Sequence, residues 1–177
     1  EYCDRKPWWI VMPDLAKYLQ RMSWLMRQGE QRNDVALYLP NADSYAHFSP
    51  AKVHLIDIER DHVGEKIMPS LFDHGYNLDF FHDEILNKFG KVEKEQLTLG
   101  ASKHKAVVLP KIERMPLASL KKLDEFVKNG GILIAVGKKP SIVPGYKTTE
   151  AEQSELKSIV SRLFDGKNPR VKLVEKE

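Results

Sequence analysis

Apolar residues along this chain keep two rhythms that alternate from the amino to the carboxyl end. Leu15, Tyr18, Leu19, Met22, Leu25 and Met26 recur at spacings of three and four, which lays one stripe along a helix. Pro13-Asp14 marks its start and Gly29 its stop, so a helix is predicted over about 14–28. A different pattern follows in DVALYLP (34–40), KAVVLP (105–110) and GGILIAVG (130–137). These runs are apolar without in-out alternation, as in strands covered on both faces of a parallel sheet. YNLDFF (76–81) supplies a fourth strand and VKLV (171–174) a fifth.

Helical stripes separate the strands. Val63, Ile67, Leu71 and Phe72 form one, in which Pro69 should kink or split the helix. Residues 83–89 form a short helix. Leu117, Leu120, Leu123 and Val127 form a longer one, begun by Met115-Pro116 and stopped by Asn129-Gly130-Gly131. Leu156, Ile159, Val160 and Leu163 form the last, and Thr149 with Glu152 three positions on is a capping-box pair. Residues 90–102 are less regular and read as an extra strand or a hairpin arm. Strands alternating with helices imply βαβ units. The expected fold is α/β: a flavodoxin-like, doubly wound, mostly parallel five-stranded sheet with helices on both faces, in three αβα layers.

Composition changes this picture little. The chain has 177 residues, 42% hydrophobic and 30% charged, which suits a domain with a real core. Its 28 basic and 25 acidic residues nearly balance, and the lysines are spread along the whole length. A nucleic-acid binder concentrates them on one stripe, so no nucleic-acid partner is expected. Cys3 is the one cysteine, too few for an internal disulfide or a multi-cysteine metal site. No apolar run has the length of a membrane span, and no signal peptide opens the chain. With Glu1 as first residue, the chain is expected to be an excised piece of a larger protein.

The chemistries this fold hosts leave few marks here. The stretch after the first strand, PNADSYAHFSP, carries no glycine and is expected to have no helix immediately behind it. That argues against FMN, NAD and Walker-type phosphate cradles. A phosphoacceptor aspartate is missing from Leu109-Pro110-Lys111. The turn Val136-Gly137-Lys138-Lys139 has no cysteine or serine, and no histidine follows His104, so an amidotransferase nucleophile and base are not in place. DIERDH (57–62) is read as a solvated helix flank. DHGYNLDFFHDE (73–84), with His74, Asp79, His82 and Asp83, is read as a strand end with helix-cap residues. No metal site or cofactor is expected from either. Asp43 is the best-placed lone carboxylate, with loop hydrogen bonding as its expected role.

A series of segments in fixed order carries a resemblance. It runs from the Trp8-Trp9 pair and DLAKYLQRMSWLMRQG through DVALYLP and GYNLDFFHDEIL to AVVLP, MPLASLKKLDEFVKNGGILIAVGKKP and PGY. This resembles the region behind the catalytic barrel in glycoside hydrolase family 106, the α-L-rhamnosidase-like enzymes, over about residues 8–164. Lys6-Pro7 departs from the polar residue that precedes the tryptophan pair in that family, and residues 46–61 match nothing in it. The resemblance implies an amidotransferase-like accessory domain at 14–177 and a junction from a missing upstream barrel at 1–13. It implies a parent enzyme that cleaves glycosidic bonds of plant or microbial polysaccharide with two carboxyl groups of its barrel, so no catalytic residue is assigned to this chain. Residues 2–12 would lie nearest the barrel, and Trp8, Trp9 and Asp43 are the candidates for the sugar cleft or the barrel interface. The implied partners are the barrel and further domains of the same polypeptide, with carbohydrate reached through the parent, which would be secreted or periplasmic. Oligomerisation stays open. So do two alternatives: a self-contained flavodoxin- or amidotransferase-like enzyme, and a carbohydrate- or protein-binding module.

Overall fold

In the computed structural model, which describes residues 3–51 and 54–175, the chain divides into two compact units, Glu1–Gln31 and Arg32–Glu177. In the first, a 3-10 turn (Pro7–Val11) runs into helix α1 (Met12–Met26). Pro7 opens the turn, where its fixed φ and missing N–H cost nothing. The helix begins two residues before the expected 14, because Pro13 sits inside its first turn rather than ahead of it. Asp14 in that turn faces the positive end of the helix dipole.

The second unit is built on a five-stranded, all-parallel sheet. Its strands are β1 (Val35–Tyr38), β2 (Leu78–Phe81), β6 (Ala106–Pro110), β7 (Ile132–Val136) and β8 (Val171–Val174), in the order β2-β1-β6-β7-β8. Val35 lies opposite Leu78 on one side and Ala106 on the other. The first connection moves to one edge and the later ones move the opposite way. Right-handed crossovers therefore place helices on both faces and put the switch in strand order between β1 and β6.

The unbroken apolar runs now have their reason. In β1, Ala36 and Tyr38 enter one core while Val35 and Leu37 enter the other. The larger core lies under α5 (Asp83–Phe89), α6 (Leu117–Lys128) and α7 (Glu150–Leu163), which bring Leu86, Leu120, Leu123, Phe126, Leu156 and Val160. The smaller one gathers Val63 and Ile67, from α3 (Leu55–Val63) and α4 (Ile67–Asp73), onto Val35, Leu37, Val108 and Val136. Asp124 of α6 takes Arg162 of α7 at 2.9 Å and Lys128 at 2.7 Å, tying the two helices. The capping box is formed: the Thr149 hydroxyl accepts from Glu152 N at 3.2 Å, and the Glu152 carboxylate accepts from Thr149 N at 2.9 Å.

Three expectations need correction. A helix does follow β1 at once: α2 (Asn41–Ala46) starts three residues after the strand ends. The helix expected to break at Pro69 breaks at Gly64 instead, whose φ of +82° lets the chain turn out of α3; Pro69 falls in the first turn of α4, where a proline is tolerated. Residues 90–104 form a complete antiparallel sheet of three strands, β3 (Gly90–Glu93), β4 (Gln96–Leu99) and β5 (Ser102–His104). It sends Leu97 into the main core.

Candidate functional site

Doubly wound sheets bind ligands beyond the carboxyl ends of their strands, at the switch in strand order. Here that point lies between the ends of β1 and β6, and Asp43 reaches it from α2. The side chain is fully buried. Its Oδ2 accepts from the backbone amides of Glu113 at 2.8 Å and Arg114 at 3.0 Å, and its Oδ1 accepts from the Arg114 guanidinium at 3.1 Å. Two amides and a guanidinium form the kind of nest that holds an anion. The chain fills it with its own carboxylate.

A second bond closes the neighbouring connection. The Tyr38 hydroxyl, at the end of β1, donates to Asp83 Oδ2 at 2.7 Å, in the first turn of α5. Burial, with Asp83 beside it, pushes the phenol far above its ordinary value, so it stays a donor. His82 caps the same helix, its Nδ1 accepting from Glu84 N at 3.3 Å. The cap role expected for residues 73–84 holds for His82, while Asp83 is the first residue of the helix and takes the Tyr38 hydroxyl instead. DIERDH lies within α3, where Ile58 is buried and Asp57 pairs with Arg60 at 3.3 Å.

Beside Asp43, His47 Nδ1 donates to the Asp43 carbonyl at 2.7 Å, and its ring meets that of His62 at 5.2 Å and 64°. Burial lowers the His62 pKa, with His47 and Lys138 adding to the effect against Asp43 and Asp61. At the opposite, amino end of the sheet, His104 is fully buried. Its Nδ1 donates to the Asn33 carbonyl at 2.8 Å, and its Nε2 lies 3.6 Å from Asp79 Oδ2. Asn33 Nδ2 donates to the other Asp79 oxygen at 2.7 Å. Burial lowers the His104 pKa, against the pull of the Asn33 carbonyl, Asp79 and Asp34.

Hydrolysis of a glycosidic bond needs two carboxyl groups open to substrate on either side of it. Asp43 is closed off by its hydrogen bonds and by burial, so its position makes it an acceptor that joins the α2 segment to the loop after β6. Trp8 and Trp9 belong to the first unit, on the 3-10 turn, 40% and 41% exposed. Tyr2, expected at the same interface, lies outside the described residues. Arg114, Glu113 and the Tyr38–Asp83 pair were not foreseen. They stand 45 to 71 positions from their partners, and no local spacing links them. Among the described residues no group of three or more His, Cys, Asp or Glu is placed to hold a metal ion, and no helix is long and apolar enough to cross a membrane.

Compared with known families, residues 1–177 match the family model of glycoside hydrolase 106, described as alpha-L-rhamnosidase. No curated protein matches the chain.

Proposed function

The chain belongs to glycoside hydrolase family 106, and from that membership we propose that it is a non-catalytic scaffold domain of a multidomain glycosidase acting on plant or microbial polysaccharide. The observation that carries this reading is Asp43. The carboxylate that α2 brings to the ligand end of the β1–β6 switch is buried and committed to Glu113 N, Arg114 N and the Arg114 guanidinium. A group so held organises the fold and has no oxygen to spare for a leaving group or a water. The two carboxylates of the reaction would come from a barrel in the same polypeptide, and the parent would work in the periplasm or outside the cell. The turn at Trp8-Trp9 and the stripe of α1 would then meet that barrel; neither element buries a residue.

Hydrolysis of an aryl α-L-rhamnoside tests the reading. The 177-residue chain alone should release no aryl alcohol, and the polypeptide that carries the barrel should. Turnover by the chain alone that disappears in Asp43→Asn would make Asp43 a catalyst and overturn the proposal.

A further inference from the structure

Next to the closed Asp43 nest, the carboxyl end of β6 opens into a polar mouth. A cavity of about 470 Å³ is lined by Arg60, Asp61, Gly64, Glu65, Lys66 and Lys111. Its volume is that of a small-ligand site. Lys111 is the first residue beyond β6, one of the two strands flanking the switch in order. Its backbone is left-handed, with φ of +36°, a conformation that non-glycine residues seldom adopt and that clusters at binding sites. The Lys111 amide is pinned to the Val136 carbonyl at 2.8 Å. Its side chain crosses Gly137, where a Cβ would come within 3.2 Å of its Cγ.

Charge sorts the ligands this mouth could take. Arg60, Lys66 and Lys111 only donate hydrogen bonds, while Asp61 and Glu65, when ionised, only accept. A phosphate would meet two carboxylates, and a metal ion or an amine would meet three cations. A neutral polyol suits both signs at once, because every hydroxyl donates and accepts. A second cavity of about 340 Å³ shares Lys66 and has Val108, Ile134, Val136 and Val174 in its wall, apolar surface suited to the C–H face of a sugar.

We propose that this mouth is a saccharide-binding subsite for a neutral glycosyl residue, whose hydroxyls bridge Lys66 and Lys111 to Asp61 and Glu65. The choice of a sugar among polyols rests on the glycosidase reading. The site gives the scaffold a second task, holding a sugar away from the chemistry.

The test is a titration of the full 177-residue chain, followed by backbone amide NMR. The probes are L-rhamnose, D-galactose, D-glucose and sodium phosphate. At least one neutral sugar should shift the amides of 60–66 and 111–113 in a saturable way, and phosphate should not. Lys66→Gln and Glu65→Gln lie on an exposed turn that leaves the core intact, and each should weaken that binding about tenfold or more, as loss of a charge-assisted hydrogen bond does. Lys111→Ala should weaken it likewise, with its melting curve recorded alongside. Three results overturn the proposal: no saturable shift with any sugar, saturation of the same amides by phosphate, or sugar binding unchanged in Lys66→Gln and Glu65→Gln. None of them touches the scaffold reading, which is decided by hydrolysis with the barrel present.

Discussion

Removing the Asp43 carboxylate would take a fully buried acceptor away from the amides of Glu113 and Arg114 and from the Arg114 guanidinium, which is 27% exposed and can turn to water. A buried donor left without its acceptor costs about 1–3 kcal/mol. Asp43→Ala should therefore lower the urea midpoint strongly, and Asp43→Asn should lower it less, since one amide oxygen still accepts. Equal midpoints for wild type and Asp43→Ala would show that the nest contributes nothing. Histidine sets a second effect. Burial holds His104 and His62 below the usual imidazole value, so the folded protein keeps them neutral while the unfolded chain takes up protons near pH ~6.5. The unfolded state binds more protons there, and stability falls as the pH drops from about 6.5 through the folded-state values. His104→Gln should flatten that decline when urea midpoints are compared between about pH 7.5 and pH 5.5; a slope identical to wild type would remove His104 from the account. At this scale the sequence marked the position of Asp43 after β1 and its hydrogen-bonding role. It could not supply the partners, because Glu113 and Arg114 reach Asp43 only once β1 and β6 are neighbours in the sheet.

Helices that carry several turns of one apolar stripe were legible, and shorter pieces were not. α6 and α7 fall where Leu117 to Val127 and Leu156 to Leu163 placed them, and α7 starts at the pair Thr149 and Glu152. The cap satisfies amides at the first turn, so Thr149→Ala should cost about 1 kcal/mol. It should also loosen α7 at its first turn, visible as faster amide exchange around Gln153; unchanged exchange there would mean the cap is idle. α2 has six residues, too few for a spacing of three and four to repeat. α3 buries only Ile58 and Val63 among acids and bases, so its stripe is faint and DIERDH reads as solvated surface. The β3–β4 turn is hidden for another reason: Lys94, with φ of +56°, occupies a left-handed position where glycine or asparagine would have announced it. The break at Gly64 and the tolerated Pro69 show the same limit, since proline is a stop signal inside a helix and an ordinary residue in its first turn.

The strand count, direction and doubly wound layout of the main sheet followed from apolar runs alternating with helical stripes, because a strand buried on both faces has no polar side to show. The unequal filling of the two faces did not follow. One face packs Tyr38, Phe81, Leu109, Leu123, Phe126 and Leu133, all fully buried, under three helices. The other packs smaller side chains, Val35, Val63, Ile67, Val108 and Val136, against α3 and the short α4. It leaves Ile132 38% and Val174 42% exposed toward the far edge of the sheet. Apolar area removed from water stabilises in proportion to its extent, so the two faces should open at different free energies. Native-state hydrogen exchange in low urea should show amides of α6 and the centre of β6 exchanging only through global unfolding. Amides of α4 should exchange through a smaller opening. Phe126→Ala should then cost about 3–5 kcal/mol and lower the exchange protection of the whole second unit. Ile67→Val, by contrast, should cost about 0.5–1.5 kcal/mol and speed exchange mainly in α4. Equal opening free energies for α4 and α6 would mean that the two cores act as one, and that the thinner face is as firmly held as the thicker one.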